Sequence, residues 1–298
     1  MIITGTCSWA EKSLIRSGEF YPKEVQSPEG RLKYYSEHFS AVEVDSTYYV
    51  IPDKKNALLW AQRTPENFIF HVKAFCALTG HGVDPIRLPE EFRHILKDDD
   101  KFGKYIYIKE PALLKEIAIK FLEAIDPLKK AGKLGLLVFQ FPPWFKYMPK
   151  NLDYLLFCMV LMQDIPIAVE FRHGSWLLPE HRQSVFRFLR RYRMTYITAD
   201  EPQYDSLATV PFVPSVTTNT GFFRFHGRNK NNWLRKGIET SLRYDYEYSD
   251  EELKSFIPSI VSLEKQVART FLMFNNCHGA SAIKNALRMK GLIAGGKG

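Results

Sequence analysis

The sequence predicts an α/β protein folded as a single (β/α)8 barrel of the TIM type, on three observations. Eight short apolar, β-branched or aromatic runs recur at residues 2–6, 41–45, 68–73, 136–141, 167–172, 195–200, 222–226 and 271–276. Helix-patterned stretches separate most of them, as βα units require. The length of 298 residues suits one such domain, and a hydrophobic content of 45% supplies one large core, so residues 1–298 read as one unit.

The elements follow in order. Residues 29–39 carry Leu32, Tyr35 and Phe39 at helical spacing, and 54–63 carry Leu58 and Trp60 behind Asp53 as an N-cap. After the third strand comes an insertion, 77–111, with Gly80-His81-Gly82 and the polar run 97–101. Loops of that length are usually functional lids or disordered excursions, and both readings are open for this one. The third long helix is expected over 112–131, with Gly132 to end it in a left-handed conformation. Further helices fit 152–162 and 180–193. A capping box from Ser249 to Glu252 opens a helix that runs to about residue 268. Only the sixth crossover is irregular: 201–220 contains Pro202, Pro211 and Pro214 and has no helical period.

Composition narrows the function classes. Lys and Arg total 41 against 33 Asp and Glu, a formal charge of +8 that favours anionic partners. Cys7, Cys76, Cys158 and Cys277 form no CxxC pair, so neither a zinc ribbon nor a disulfide framework is indicated. Cys7 and Cys277 end neighbouring strands and read as buried, inert thiols. The first strand begins at Ile2 without a basic leader, and no apolar run approaches the roughly 18 residues a membrane span needs, so a cytoplasmic location without membrane partners is expected. P-loop, GxGxxG, GxSxG and HExxH patterns are absent.

Side chains alternate across a strand, so residues two apart share a face. That pairs Glu43 with Asp45, His71 with Lys73, Glu170 with Arg172 and Arg224 with His226. The deeper members, Glu43, His71, Glu170 and Arg224, are open to a reading as structural ion pairs, such as Glu43 or Asp45 against Lys73. For Asp45, Lys73, Arg172 and His226 a ligand role is favoured, because active sites of such barrels lie at the C-terminal mouth. Gln140, Asp200 and Asn276 join the ring at strand ends. Asp45, Glu170, Asp200 and His226 could together hold a divalent metal, as in a two-metal phosphodiester hydrolase. The cations Lys73, Arg172 and Arg224 would crowd that cluster, so a metal-free anion site with no cofactor is preferred. The basic stretch 226–236, with Trp233, could instead follow a nucleic-acid backbone.

Several strings resemble the YecE-like family, domain of unknown function 72. They are Gly5-Thr6-Cys7-Ser8-Trp9, Val42-Glu43-Val44-Asp45-Ser46-Thr47-Tyr48-Tyr49, Phe70-His71-Val72-Lys73-Ala74, Phe139-Gln140-Phe141-Pro142-Pro143, Val169-Glu170-Phe171-Arg172-His173, Arg224-Phe225-His226-Gly227-Arg228 and Phe274-Asn275-Asn276. The resemblance runs in order along nearly the whole chain and implies a TIM-type barrel without an established activity. Members of that family resemble in shape the metal-dependent endonuclease IV-like barrels, an analogy of fold alone. This sequence departs from the family pattern with Asp45 in place of a common Asn, Gly174 in place of Pro, and a longer 77–111 insertion.

The reading that follows is an enzyme acting at the mouth on an anionic, phosphorylated or nucleotide-like substrate. Lys73, Arg172, Arg224 and Arg228 would bind the anion. His226 or His173 would act as general acid or base beside Glu170 or Asp45. Gln140 and Asn276 would add polar contacts, with Trp9, Tyr48 and Trp176 as aromatic walls. The alternatives are a non-catalytic nucleic-acid-binding protein and a metal-dependent phosphodiester hydrolase of the endonuclease IV-like type.

Overall fold

A computed structural model describes residues 1–95 and 105–296. The strands are β1 Ile2–Thr6, β2 Ala41–Val44, β3 Ile69–Lys73, β4 Leu134–Gln140, β5 Ile167–Glu170, β6 Thr195–Asp200, β7 Thr220–Phe225 and β8 Arg269–Phe274. Each pairs in parallel with the next, and β8 returns to β1 to close the barrel. All eight coincide with the expected apolar runs, displaced by a residue or two at their ends.

The helices are α1 Lys12–Ser17, α2 Pro28–His38, α3 Lys54–Gln62, α4 Pro111–Lys130, α5 Pro149–Leu161, α6 Pro179–Arg191, α7 Lys230–Trp233, α8 Asp250–Glu264 and α9 Ser281–Gly295. Local chemistry explains their ends. Asp53 caps α3, Gly132 adopts φ 69° beyond α4, and Ser249 and Glu252 complete the capping box of α8. No helix lies between β6 and β7, where the prolines interrupt the chain. Helix α8 stops at Glu264, short of the expected 268, because the chain must extend for Thr270 to donate to the carbonyl of Met1 at 2.9 Å. In the 77–111 insertion, Val83 and Ile106 pair as an antiparallel bridge; the polar run 97–101 lies outside the described residues. Among the described residues, no helix is long and apolar enough to cross a membrane.

Two apolar layers result from strand alternation. The outward positions, including Val42, Val72, Val169, Phe171, Phe223 and Phe225, pack under the helices. The inward positions near the barrel base, Ala41, Leu136, Ala168, Ile197, Phe222 and Phe271, form a separate plug. His71 sits in that plug with its ring 4.3 Å from Phe271 and 5.0 Å from Phe222, so it is a core residue and not a mouth ligand. Its role is local. Phe70 pairs with Leu134 but Val72 with Leu137, so β4 carries one extra residue there. The bulge leaves the Leu136 amide without a strand partner, and His71 Nδ1 accepts from it at 3.0 Å. A Cβ on Gly135 would lie 2.7 Å from that nitrogen, which explains a glycine at the bulge.

Burial pushes His71 down to about 3. The unfolded chain takes up this proton near pH 6.5, so the histidine's contribution to stability is complete above that pH and is lost as pH falls towards 3. Urea titrations of wild type and His71→Leu across this range should show a shallower acid loss in the variant, by up to about 1.4 kcal/mol per pH unit. At neutral pH the variant should be less stable by about 1–3 kcal/mol, the cost of orphaning the buried Leu136 amide. Equal acid slopes would mean that His71 titrates freely in the folded barrel.

Candidate functional site

Above the plug, the same inward files turn from apolar to ionic. Two residues on from Ala41, Ala168 and Phe222 stand Glu43, Glu170 and Arg224, all fully buried. Arg224 spans the barrel from β7, donating Nη2 to Glu43 Oε1 at 2.6 Å and Nη1 to Glu170 Oε2 at 2.7 Å. Nη2 also reaches Asp45 Oδ1 at 3.3 Å, and Nη1 reaches Gln140 Oε1 at 3.5 Å. The ion-pair reading of these deep residues therefore holds for Arg224 and Glu170, and Glu43 is bound by Arg224 rather than by Lys73.

One step further, Arg172 Nη1 donates to Glu170 Oε1 at 3.1 Å, and Arg172 Nε lies 3.3 Å from Glu201. His226 Nε2 lies 2.9 Å from the same Glu170 oxygen, and Asn275 Nδ2 donates to His226 Nδ1 at 2.8 Å. This arrangement sets the tautomer: Nδ1 accepts and Nε2–H donates to Glu170. Burial keeps His226 neutral, pushed down to about 3. Burial alone would raise Glu170, but Arg224, the His226 N–H and Arg172 outweigh it and hold the carboxylate well below its ordinary range. Glu170 and His226 thus have every reacting atom engaged and no exposed surface.

Polar groups reach the opening on the β2–β3–β4 side. Asp45 begins a 3₁₀ turn, Asp45–Tyr48, fastened to β3 where the Thr47 hydroxyl donates to the carbonyl of Lys73 at 2.6 Å. The Asp45 side chain is 26% exposed and that of Lys73 13%, with Oδ1 and Nζ 3.3 Å apart. Lys73 Nζ also rests 4.8 Å from the Tyr48 ring centroid. Arg172, 13% exposed, lies 4.9 Å over the Trp233 ring. Glu43 and Asp45 touch carboxyl to carboxyl. Burial, opposed by Arg224, pushes Glu43 up to about 8, so the pair holds a proton at neutral pH. Burial, opposed by Arg172, likewise pushes Glu201 up to about 7, so two of the carboxyls that face Lys73, Arg172 and Arg224 resist ionisation.

Other expected site residues lie elsewhere. Asp200 accepts from Arg228 Nη2 at 2.7 Å and from the Tyr248 hydroxyl at 2.6 Å, and Arg228 also binds Glu252 at 3.2 Å. Asp200 and Arg228 therefore join the barrel to α8, neither lining the mouth nor leaving a guanidinium free for an anion. Asn276 donates to Tyr246 and Asn285, each at 2.8 Å, beneath α9. His173 Nδ1 is engaged by Ser175 at 2.8 Å in the turn after β5. Trp9 packs on Trp60 and Phe70, and Trp176 stacks between Phe145 and Phe171, so both are core rather than pocket wall. Trp233, which the nucleic-acid reading requires to be open, is buried between Arg172 and Tyr244. Asp200 thus does not converge with Asp45, Glu170 and His226, and among the described residues no group of three or more His, Cys, Asp or Glu is placed to hold a metal. Burial raises the thiols of Cys7 and Cys277, keeping them protonated.

Glu201, Asn275, His81, Trp144 and Tyr244 belong to the site but were missed. Parity identifies the first two: they lie four residues beyond Ile197 and Phe271 of the plug, on the inward files of β6 and β8. His81 edges Tyr48 at 5.2 Å and Trp144 at 5.7 Å, while Tyr244 lies 5.8 Å from His226. These three come from loops, where no periodic signal marks orientation.

Comparison with known proteins agrees with this architecture. A family model described as "Protein of unknown function DUF72" matches residues 3–297. The UPF0759 protein YunF of Bacillus subtilis (strain 168) is 31% identical over 296 residues, covering 98% of this chain and 95% of its own. A DUF72 family protein from Thermotoga maritima is similar at 33% identity and a TM-score of 0.78, with 99% of both chains covered. One from Enterococcus faecalis V583 has 28% identity and a TM-score of 0.78, covering 99% of this chain and 96% of its own. With the closed barrel and the match over nearly its full length, the chain belongs to the DUF72 family.

Proposed function

We propose that this protein is an acid–base enzyme acting on a small anionic substrate at the C-terminal mouth. The observation that carries the reading is the Glu43–Asp45 carboxyl contact, which opens beside Lys73. Two carboxyls in contact cannot both ionise cheaply, so their environments divide the roles. Glu43 is fully buried and holds the proton; Asp45 is partly exposed and exchanges it with substrate. Lys73 and Arg172 supply the anion contacts. When Lys73 turns from Asp45 to the substrate anion, it uncovers the Asp45 carboxylate for the substrate's proton.

On this reading Glu170 and His226 position Arg172 and do not transfer protons themselves, because their reacting atoms are taken. The nucleic-acid alternative draws on exposed Lys230, Arg235 and Lys236, but its stacking residue Trp233 is buried. A metal-dependent hydrolase draws on Asp200, which is bound to Arg228 and Tyr248.

A turnover screen over sugar phosphates, nucleotides and small carboxylates, followed by NMR, tests the proposal. Asp45→Asn should lower kcat on any active compound by about 10²–10⁴-fold while leaving thermal unfolding nearly unchanged. Turnover that survives in Asp45→Asn would place the chemistry elsewhere. Glu170→Gln should instead lose about 3–5 kcal/mol of stability, since it leaves Arg224 undercompensated in the interior. The double variant Lys230→Ala with Arg235→Ala should keep full turnover; loss of turnover would point to the basic loop. Infrared spectra at pH 7 should contain a protonated-carboxyl band that Glu43→Gln weakens, and a wild-type spectrum without the band, or a band unchanged in Glu43→Gln, would contradict the shared proton.

A further inference from the structure

We propose that the β3–β4 side of the mouth carries a subsite for a planar heteroaromatic ring, formed by Trp144, His81 and Tyr48. The inference rests on the reading of the mouth as a substrate site and specifies its substrate class: an anion joined to a flat ring. Three rings run outward from the proposed anion site in unbroken contact. Tyr48 lies under Lys73 Nζ at 4.8 Å, His81 stands edge-on to Tyr48 at 5.2 Å, and Trp144 follows at 5.7 Å with an interplanar angle of 67°. Trp144 is 55% exposed, while Trp9, Trp176 and Trp233 are all buried in packed surroundings. An indole left open at the outer end of these rings exposes apolar surface that a stacked ring would cover, and such stacking tolerates any base-like heterocycle.

His81 adds directional chemistry. The Thr79 hydroxyl engages His81 Nδ1 at 2.8 Å and also reaches the carbonyl of Cys76 at 3.1 Å. That fixes Nδ1 and leaves Nε2 as the ring nitrogen to meet a polar edge of the incoming heterocycle. Burial, together with Lys73 and Arg172, keeps this imidazole neutral. The same two cations that would bind the anion thus act on the histidine that would meet the ring.

The test compares calorimetric binding of AMP, ribose 5-phosphate and adenosine to the full chain and to Trp144→Ala and Trp144→Phe. Because Trp144 is exposed, both variants should unfold at the wild-type temperature. AMP should bind about tenfold more tightly than ribose 5-phosphate, an advantage that Trp144→Ala removes and Trp144→Phe largely keeps. Ribose 5-phosphate should bind equally to all three proteins. Equal affinities of wild type for AMP and ribose 5-phosphate, or an AMP advantage that survives in Trp144→Ala, would overturn the ring subsite and leave the anion site standing. Adenosine binding that depends on Trp144, with no binding of either phosphate, would support the subsite and overturn the anion site. Failure of all three compounds to bind wild type would overturn both.

Discussion

The buried guanidinium of Arg224 organises the upper half of this barrel. It joins β7 to β2 through Glu43 and to β5 through Glu170, crossing an interior that nearer the base is wholly apolar apart from His71. Burying such a group is costly, and an ion pair in this position is often no more stabilising than a well-packed hydrophobic replacement. Stability alone therefore does not account for it. The plug below, built on Leu136, Ile197, Phe222 and Phe271, shows that this sequence can close the barrel with apolar side chains. What the guanidinium adds is direction: two carboxylates from different strands are held at fixed positions, with their remaining oxygens turned to other partners.

Those partners form the mouth. Glu170 orients Arg172 and the N–H of His226, while Asn275 fixes the opposite face of the imidazole. Trp233 then covers Arg172, limiting its exposure to the edge that faces the opening. On the other side, Glu43 supports Asp45, and Asp45 supports Lys73. Lys73 and Arg172 thus sit one contact beyond the carboxyl groups that Arg224 itself binds. A rigid buried layer holding a partly exposed one is the arrangement that a preorganised site requires.

Much of this was legible because alternation is strict wherever a strand has one apolar face and one charged face. Val44, Val72, Phe171 and Phe225 mark the outer file unambiguously, so the pairs Glu43–Asp45, Glu170–Arg172 and Arg224–His226 emerged from spacing alone. In β6 and β8, apolar residues occupy both faces, and the pattern carries no parity. Proximity to the strand end then favoured Asp200 and Asn276, when the inward residues are Glu201 and Asn275. Aromatic residues failed for another reason: hydrophobicity does not distinguish a tryptophan that fills the core, such as Trp176, from one that lines a surface, such as Trp144. Helix α1, six residues between a Glu11 cap and Gly18, is too short to display a period, and α9 begins with no side-chain cap.

Charge balance constrains how the proposed site can respond to substrate. Every ion pair of the deep layer is closed to solvent, whereas the Lys73–Asp45 pair is partly open and joined by one 3.3 Å contact. An entering anion therefore competes most readily for Lys73. Its arrival adds negative charge to a layer whose buried carboxyls Glu43 and Glu201 already resist ionisation, and the interior opposes any uncompensated charge. The anion draws Lys73 away from Asp45, the one carboxyl of the cluster that faces the opening. The contact that admits the substrate's anion thus also uncovers the carboxylate best placed to receive the substrate's proton.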